Sequence, residues 1–150
     1  MAAAPGCFGW EPSDIDVFAR LLFAAWNVTP GRRFLEVGCG IGTKMALAES
    51  VGFNAHGIEI LPDLVAEALR EGLNVVEADA RFWRGYADFD TVYVNHPLLD
   101  QTAEQEFERE LHRVMKPGSV LVAVNDCGSP EGWMPVIDER SAWRGVWVKP

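Results

Sequence analysis

The residues best suited to chemistry form a glycine-rich run, EVGCGIG, at positions 36–42, directly after a short apolar segment. Glycine has no Cβ, so it adopts positive φ angles easily and lets a ligand approach the backbone closely. A helix that begins at such a loop also offers backbone N–H groups that have no partner inside the helix. We therefore predict that this loop holds a cofactor.

The spacing of the glycines excludes two common phosphate-binding loops. The dinucleotide fingerprint is Gly-x-Gly-x-x-Gly, whereas this run is spaced Gly-x-Gly-x-Gly and continues with Thr43 where the fingerprint needs glycine or alanine. The nucleotide P-loop needs a lysine followed by serine or threonine, but Lys44 stands one place late and is followed by Met45. The loop therefore predicts an adenosine-containing cofactor of another kind.

The segments around the loop alternate between strand and helix patterns, which is typical of a doubly wound α/β domain with a mostly parallel sheet. Ser13 is expected to cap the first helix, and Thr102 with Gln105 predicts a capping box for the fourth. Helices are expected on both faces of the sheet, followed by a C-terminal antiparallel hairpin. The predicted strands are 33–37, 54–60, 74–77, 91–95, 119–124, 133–137 and 144–148, and the predicted helices are 14–26, 43–51, 62–71 and 102–115.

The run FLEVGCGIGT at 34–43 resembles motif I of the class I S-adenosylmethionine-dependent methyltransferases, E/D-x-G-x-G-x-G. Four further runs agree with that family in order and spacing: GIEI at 57–60, EADA at 77–80, NHPL at 95–98 and MKPGS at 115–119. The resemblance covers roughly residues 13 to 125. It implies a Rossmann-like fold and S-adenosyl-L-methionine as the cofactor, with S-adenosyl-L-homocysteine as its product after methyl transfer.

The resemblance also implies which residues hold the cofactor. Glu59 would bind the ribose hydroxyls, since a carboxylate accepts hydrogen bonds from both. Asp79 and the N–H of Ala80 would contact the adenine, and Ile60 would pack on its face or belong to the ordinary core. The predicted cofactor-binding residues are Glu36, Gly38, Cys39, Gly40, Gly42, Glu59, Ile60, Asp79, Ala80 and Asn95. Glu36 has a second interpretation, as a capping acid that orders the loop.

Asn95 and His96 are the predicted catalytic residues. They follow the fourth strand, at the carboxyl edge where open α/β sheets place their ligands. An imidazole there can take a proton from an attacking oxygen or nitrogen; the alternative is a loop histidine that packs near Pro97. The run NHPL echoes the N-P-P-aromatic motif of amino-group methyltransferases, but His96 replaces the first proline and Leu98 replaces the aromatic residue that would stack on a flipped base.

The charge and composition restrict the partners. The formal net charge is −9, which repels phosphate backbones, so a nucleic-acid substrate is not expected and the acceptor is predicted to be a small molecule or a protein. No apolar run approaches the ~20 residues that cross a bilayer. The three cysteines, Cys7, Cys39 and Cys127, form no Cys-x-x-Cys pair. We therefore predict free thiols in the cytoplasm, with neither a zinc site nor a disulfide framework.

The length of 150 residues fits one domain. Residues 1–12 are expected to be irregular or to act as a lid, with no secretory leader. The tail after the fifth strand is short, which leaves an alternative open: a non-catalytic S-adenosylmethionine-binding or regulatory subunit that needs a partner. Tryptophans near the chain ends, such as Trp10 and Trp143, suggest a homo-oligomer interface. A nicotinamide-dependent oxidoreductase is a third hypothesis.

Overall fold

The computed structural model describes residues 14–125 and 130–150. Seven strands form one sheet: β1 Arg33–Val37, β2 Asn54–Glu59, β3 Asn74–Glu77, β4 Thr91–Asn95, β5 Val120–Val124, β6 Met134–Glu139 and β7 Arg144–Val148. Their order across the sheet is β3-β2-β1-β4-β5-β7-β6. The first five strands are parallel, and β7 runs antiparallel to both of its neighbours. The expected lid at residues 1–12 lies outside the described residues.

Four α-helices cover the two faces of the sheet: α1 Ile15–Val28, α2 Thr43–Ser50, α3 Pro62–Arg70 and α4 Gln101–Val114. The first three pack on one face, around Phe34 and Tyr93. Helix α4 packs on the other face, together with the short 3-10 turn Tyr86–Asp88, around Leu121 and Trp147. The doubly wound architecture and the antiparallel C-terminal hairpin that the sequence predicts are therefore confirmed.

Both predicted helix caps are wrong, and in each case an aspartate takes the position instead. Helix α1 is capped by Asp14 rather than by Ser13, and the Asp14 carboxylate accepts two first-turn N–H groups at 2.9 and 3.1 Å. Helix α4 is capped by Asp100, which accepts one N–H at 2.8 Å, so Thr102 and Gln105 form no capping box. A carboxylate both accepts these hydrogen bonds and interacts favourably with the positive end of the helix dipole.

The strand registers bring residues from distant parts of the chain to one edge of the sheet. Asn95, the last residue of β4, pairs with Val124, the last residue of β5. Val124 in turn pairs with Arg144, the first residue of β7. Residues in register on neighbouring strands project to the same face of a sheet, and here that face is the one that α1 covers. The C-terminal hairpin therefore contributes a side chain to the edge where the parallel strands end.

Candidate active site

A cavity of about 540 Å³ opens at this carboxyl edge of the sheet, which is a usual size for a small-molecule site. Its walls come from the glycine loop, the ends of β1, β2, β4 and β5, the segment after β3, the starts of α1, α2 and α3 and the start of β7. Nine of the predicted site residues line it: Glu36, Gly38, Cys39, Glu59, Ile60, Asp79, Ala80, Asn95 and His96. The other two, Gly40 and Gly42, belong to the same loop but do not line the cavity.

The glycine loop needs its three glycines for conformation more than for contact. Gly38, Gly40 and Gly42 have φ angles of +70°, +57° and +85°, a region that side chains disfavour. Gly42 is the N-cap of α2, where an added Cβ would collide with Leu73. An added Cβ at Gly38 would stand 3.8 Å from the Cβ of Pro97, so it would project into space that a bound molecule can use.

Cys39 takes part in the loop through its backbone. Its side chain is buried in the core below the loop, beside Met45, and fits there because Gly57 on β2 has no Cβ. Burial raises the pKa of the Cys39 thiol well above its ordinary range, so the thiol is not a nucleophile at neutral pH. Within residues 14–125 and 130–150, no three His, Cys, Asp or Glu side chains are grouped so that they could hold a metal ion.

Glu59 is held rigidly at the end of β2. Its Oε2 accepts the N–H of Gly40 at 2.8 Å, and its Oε1 accepts the N–H groups of Ile60 and Leu61 at 2.9 and 3.0 Å. A carboxylate offers about four lone-pair sites, so these bonds leave one site open, on Oε2. The predicted contact of Glu59 with both ribose hydroxyls stays a prediction.

Asp79 and Ala80 border the cavity after β3. Asp79 forms a two-point ion pair with Arg81, with Oδ1 3.0 Å from Nε and Oδ2 2.5 Å from Nη2. The hydrogen bond from the Arg81 side chain holds the pKa of Asp79 below its usual value. The carbonyl of Ala80 accepts the Tyr86 hydroxyl at 2.6 Å. These contacts fix the backbone of the segment that is predicted to meet the adenine.

Glu36 and Lys44 form a second charged pair in the cavity wall. Lys44 Nζ lies 3.8 Å from Glu36 Oε1 and 5.3 Å from the ring centroid of Tyr93. Burial raises the pKa of Glu36 to about 8, although Lys44 acts to lower it. From the sequence, Lys44 is considered only as a P-loop lysine, whose spacing it does not fit. Tyr93 is not predicted as a site residue, because its pattern is that of an ordinary strand residue.

The Oε2 atom of Glu36 bears on whether S-adenosylmethionine fits this cavity. Glu36 Oε2 is buried and has no hydrogen-bond partner among the described residues, and Glu36 lines the cavity. A buried acceptor without a donor is costly, and the amino-acid end of S-adenosylmethionine carries an ammonium group that donates. The ribose likewise brings hydroxyl donors to a cavity that Glu59 also lines. The donor set of the cofactor therefore matches the acceptors that these residues present.

His96 is the first residue after β4 and has a φ of +39°, a strained value for a side-chain-bearing residue. Its Nδ1 lies 3.7 Å from Oε1 of Glu104 on α4. Glu104 is 1% exposed, and its Oε2 accepts the N–H of Leu98 at 3.0 Å. Asn95, the neighbour of His96, accepts a hydrogen bond from Asn125 Nδ2 at 2.9 Å. The site thus places an imidazole and two amides at the ends of β4 and β5.

The acidic run Glu104–Glu110 on α4 is partly buried, which its charges alone do not suggest. Its charges suggest a solvated helix face, but Glu104 and Glu108 are buried, because this side of α4 packs against the sheet through Phe107 and Leu111. The spacing of four residues between the two acids places them on one helix face, which is the sequence feature that could have revealed their shared environment.

No helix in the described part of the chain is both long and apolar enough to cross a membrane.

Comparisons with known proteins agree with this geometry. A family model described as a methyltransferase domain matches residues 35–123. The chain is 33% identical over 133 residues to 2-methyl-6-phytyl-1,4-hydroquinone methyltransferase of Synechocystis sp., covering 83% of this chain and 39% of that protein. It is 29% identical over 127 residues to malonyl-[acyl-carrier protein] O-methyltransferase of Enterobacter lignolyticus, covering 81% of this chain and 49% of that protein. The chain thus spans less than half the length of these curated relatives.

A solved structure shares the fold over nearly the whole chain. An RNA methyltransferase from Salinibacter ruber, in complex with S-adenosyl-L-homocysteine, superposes with a TM-score of 0.72 at 21% identity, covering 93% of this chain and 94% of that one. The family match spans the glycine loop, the ends of β2 and β4, and most of β5. This chain therefore belongs to the class I methyltransferases, the Rossmann-like family whose cofactor is S-adenosylmethionine.

Proposed function

We propose that this domain transfers the methyl group of S-adenosylmethionine to a small-molecule or protein acceptor. The observation that carries the proposal is the continuity of the cavity, which runs from Gly38 past Asn95 and His96 to Arg144. One space therefore has room for a cofactor at the glycine loop and for an acceptor at the ends of β4 and β5.

The residues that we propose to hold the cofactor act through distinct groups. The Glu36 carboxylate accepts a hydrogen bond from the ammonium, and Glu59 accepts one from a ribose hydroxyl through its open lone pair. Asp79 and Ala80 contact the adenine. Ile60 packs on the adenine face. Gly38 and Cys39 offer backbone, while Gly40 and Gly42 give the loop its shape. Apart from Gly40 and Gly42, which have positive φ angles in the loop, each of these residues lines the cavity.

When bound, the cofactor supplies a methyl group already activated on a sulfonium, so the protein mainly has to align the acceptor with it. We propose that Asn95, fixed by Asn125, orients the acceptor through its amide. His96 takes the proton of an acceptor that arrives protonated. Glu104 orients the His96 ring, since its carboxylate lies 3.7 Å from Nδ1. Glu104 therefore serves as a positioning residue.

A second candidate is a cofactor-binding subunit that is active only with a partner. Residues 125–133 link β5 to β6, and Asn125 and residues 130–133, the described part of this link, contain no helix. Among residues 14–125 and 130–150, the acceptor end of the cavity is lined by the starts of α1 and β7 and the ends of β4 and β5, and a partner or a second copy would supply a further wall. The exposed Phe23 and Trp143 support a homo-oligomer.

The proposed setting is the cytoplasm, where the cofactor is made and where a free thiol such as that of Cys39 is kept reduced. A nucleic-acid acceptor is disfavoured by the net charge of −9, because phosphate backbones would be repelled.

The proposal is tested by thermal shift and calorimetric titration with S-adenosylmethionine, S-adenosylhomocysteine, NAD and ATP. We expect only the two S-adenosyl compounds to bind, and a ligand at a hundred times its Kd adds about 2.7 kcal/mol to stability. Glu59→Ala should abolish this binding. Its matched control is Glu77→Ala, because Glu77 pairs with Glu59 in register on β3 but is exposed and outside the cavity. Binding of NAD instead would refute the proposal.

Catalysis is then separated from binding alone. The protein that binds S-adenosylmethionine is incubated with candidate acceptors, and formation of S-adenosylhomocysteine is followed by mass spectrometry. Acceptor-dependent turnover by the isolated chain supports the methyltransferase, whereas turnover that appears only after a partner protein is added supports the second candidate.

A further inference from the structure

We propose that the methyl acceptor carries an oxyanion, a carboxylate or a phosphate, that binds to Arg144 at the acceptor end of the cavity. The inference rests on the proposed function, since it names the chemistry of the molecule that shares the cavity with the cofactor.

The position of Arg144 is fixed by the sheet. Asn95, Val124 and Arg144 are consecutive partners across β4, β5 and β7, and all three line the cavity. Neighbouring strands are about 4.8 Å apart, so two spacings place the backbone of Arg144 about 10 Å from that of Asn95. A small acceptor can span this distance, with its anion at Arg144 and its reacting atom near Asn95 and His96.

The contacts of Arg144 hold its guanidinium in one orientation. Nε donates to Glu139 Oε2 at 2.5 Å, and Arg20 Nη2 from α1 reaches the same oxygen at 2.8 Å. Among the described residues the Arg144 side chain donates its hydrogen bond through Nε, and no hydrogen bond from either Nη group is seen. An arginine held through Nε presents its remaining N–H groups as a fork, which matches the two oxygens of a carboxylate or phosphate.

The charges around Glu139 leave one cation in excess. Two guanidinium groups, of Arg20 and Arg144, share the single carboxylate of Glu139, so this cluster carries a net charge of +1. The other lysine or arginine among the described residues that line the cavity is Lys44, whose Nζ lies 3.8 Å from Glu36 Oε1. An anionic acceptor would therefore neutralise a positive charge that the protein leaves only partly compensated.

The acids in the cavity wall do not compete for Arg144. Each of the four is already engaged: Asp14 with the first turn of α1, Glu36 with Lys44, Glu59 with three backbone N–H groups, and Asp79 with Arg81. The Arg144 side chain is 29% exposed, so the site is partly shielded from water, and shielding strengthens a charge pair. These conditions favour an oxyanion over a neutral group at this end of the cavity.

The experiment measures binding of small probes to the protein saturated with S-adenosylhomocysteine, which keeps the cofactor end filled. The probes are benzoate and phenyl phosphate, with benzamide as the neutral counterpart; their ring suits Val17 and Val124, which line the same end. Wild type, Arg144→Gln and Arg144→Lys are titrated by calorimetry. The matched control is Arg20→Gln, because Arg20 shares Glu139 with Arg144 but does not line the cavity.

We expect one of the two anions to bind wild type at least tenfold more tightly than benzamide, and the tighter of the two identifies the carboxylate or the phosphate. Arg144→Gln should weaken that anion by about ten- to a hundredfold, as expected for a charged hydrogen-bond donor. Arg144→Lys should lie between, since it keeps the charge and loses the fork. Arg20→Gln should weaken that anion clearly less than Arg144→Gln does, because it lowers the net charge of the cluster but leaves the Arg144 fork in place.

Two results would overturn the inference. One is that neither anion binds better than benzamide. The other is that Arg144→Gln and Arg20→Gln weaken binding equally, which would mean that Arg144 serves only the ion cluster. Titration of S-adenosylhomocysteine itself separates the two levels: if it fails to bind wild type, the proposed function fails, whereas if it binds while the anions show no preference, only the inference about Arg144 fails.

Discussion

Glu59 accepts the N–H of Gly40 at 2.8 Å, which joins the carboxyl end of β2 to the glycine loop that follows β1. The same carboxylate accepts the N–H groups of Ile60 and Leu61. An acid predicted to bind the ribose therefore also fixes the shape of the loop that is predicted to hold the rest of the cofactor. Changes at Glu59 should affect stability as well as binding.

The first prediction concerns this linkage. Glu59→Gln keeps the size of the side chain but has only one accepting oxygen for three donors. We expect the free energy of unfolding to fall by about 1–3 kcal/mol, because buried N–H groups lose their partner, as measured by urea denaturation without ligand. Glu77→Gln, at the paired exposed position on β3, should change stability by less than about 0.5 kcal/mol. Equal effects of the two substitutions would contradict the linkage.

The second prediction concerns pH and stability. Burial raises the pKa of Glu36 to about 8 from an ordinary value of 4.5, so between these values the folded protein holds a proton that the unfolded chain has released. Stability attributable to Glu36 should therefore fall as pH rises from 4.5 towards 8. Urea denaturation between pH 5 and 8.5 should show a steeper decline for wild type than for Glu36→Gln. Parallel curves for the two proteins would disprove it.

The third prediction concerns pH and binding. The ammonium of S-adenosylmethionine favours the ionised form of Glu36, so binding should release a proton at pH values below 8. The affinity should then rise with pH between 6 and 8, by up to about tenfold per unit. Calorimetry in two buffers of different ionisation enthalpy counts the released protons. Glu36→Gln removes this site of titration, and the same proton release in that variant would assign the effect to another group.

The fourth prediction concerns the pair His96 and Glu104. Both His96→Ala and Glu104→Gln should lower kcat for an acceptor that supports turnover, with little change in KM for S-adenosylmethionine, and Glu104→Gln by about tenfold. If Glu104 acts through His96, the double variant should be no slower than His96→Ala alone. Glu106→Gln, an exposed neighbour on α4, is the control. Additive losses in the double variant would indicate a separate structural role for Glu104.

The fifth prediction separates the cost of backbone strain from the cost of a steric collision, at two glycines with positive φ angles. Gly42 and Gly72 have φ angles of +85° and +80°, but an added Cβ collides with Leu73 only at Gly42. Gly72→Ala should cost about 1–2 kcal/mol from backbone strain alone. Gly42→Ala should cost more than this and should also weaken S-adenosylhomocysteine binding, because Gly42 is the N-cap of α2. Equal losses of stability would show that Leu73 yields without cost.

The features that the sequence predicted are those that depend on short stretches of chain. The glycine loop, its acid at Glu36 and the strand that ends at Glu59 are each encoded within a few residues, and the parallel order follows because strands alternate with helices. The helix caps were harder to predict, since Ser13 and Asp14 are adjacent and both are good N-caps. Only the backbone conformation decides which of them takes the position.

The parts of the site that the sequence did not predict depend on pairings between distant residues. Arg144 reaches the cavity because β7 pairs with β5 in a register that matches it to Val124, and nothing in the local sequence fixes that register. Glu104 looked solvated because its neighbours are charged, yet it faces the sheet. Both residues are polar groups at positions that only the tertiary fold brings near the cavity.

The order β5-β7-β6 has a consequence for how the protein is made. β6 precedes β7 along the chain, but in the described sheet β6 pairs with β7 alone. During synthesis β6 therefore stays unpaired until β7 has left the ribosome and has inserted between β5 and β6. Until then β5 is an open edge of the kind that invites aggregation. The wall that carries Arg144 can therefore form only after β7 has been synthesised, later than the glycine loop and the ends of β1 and β2.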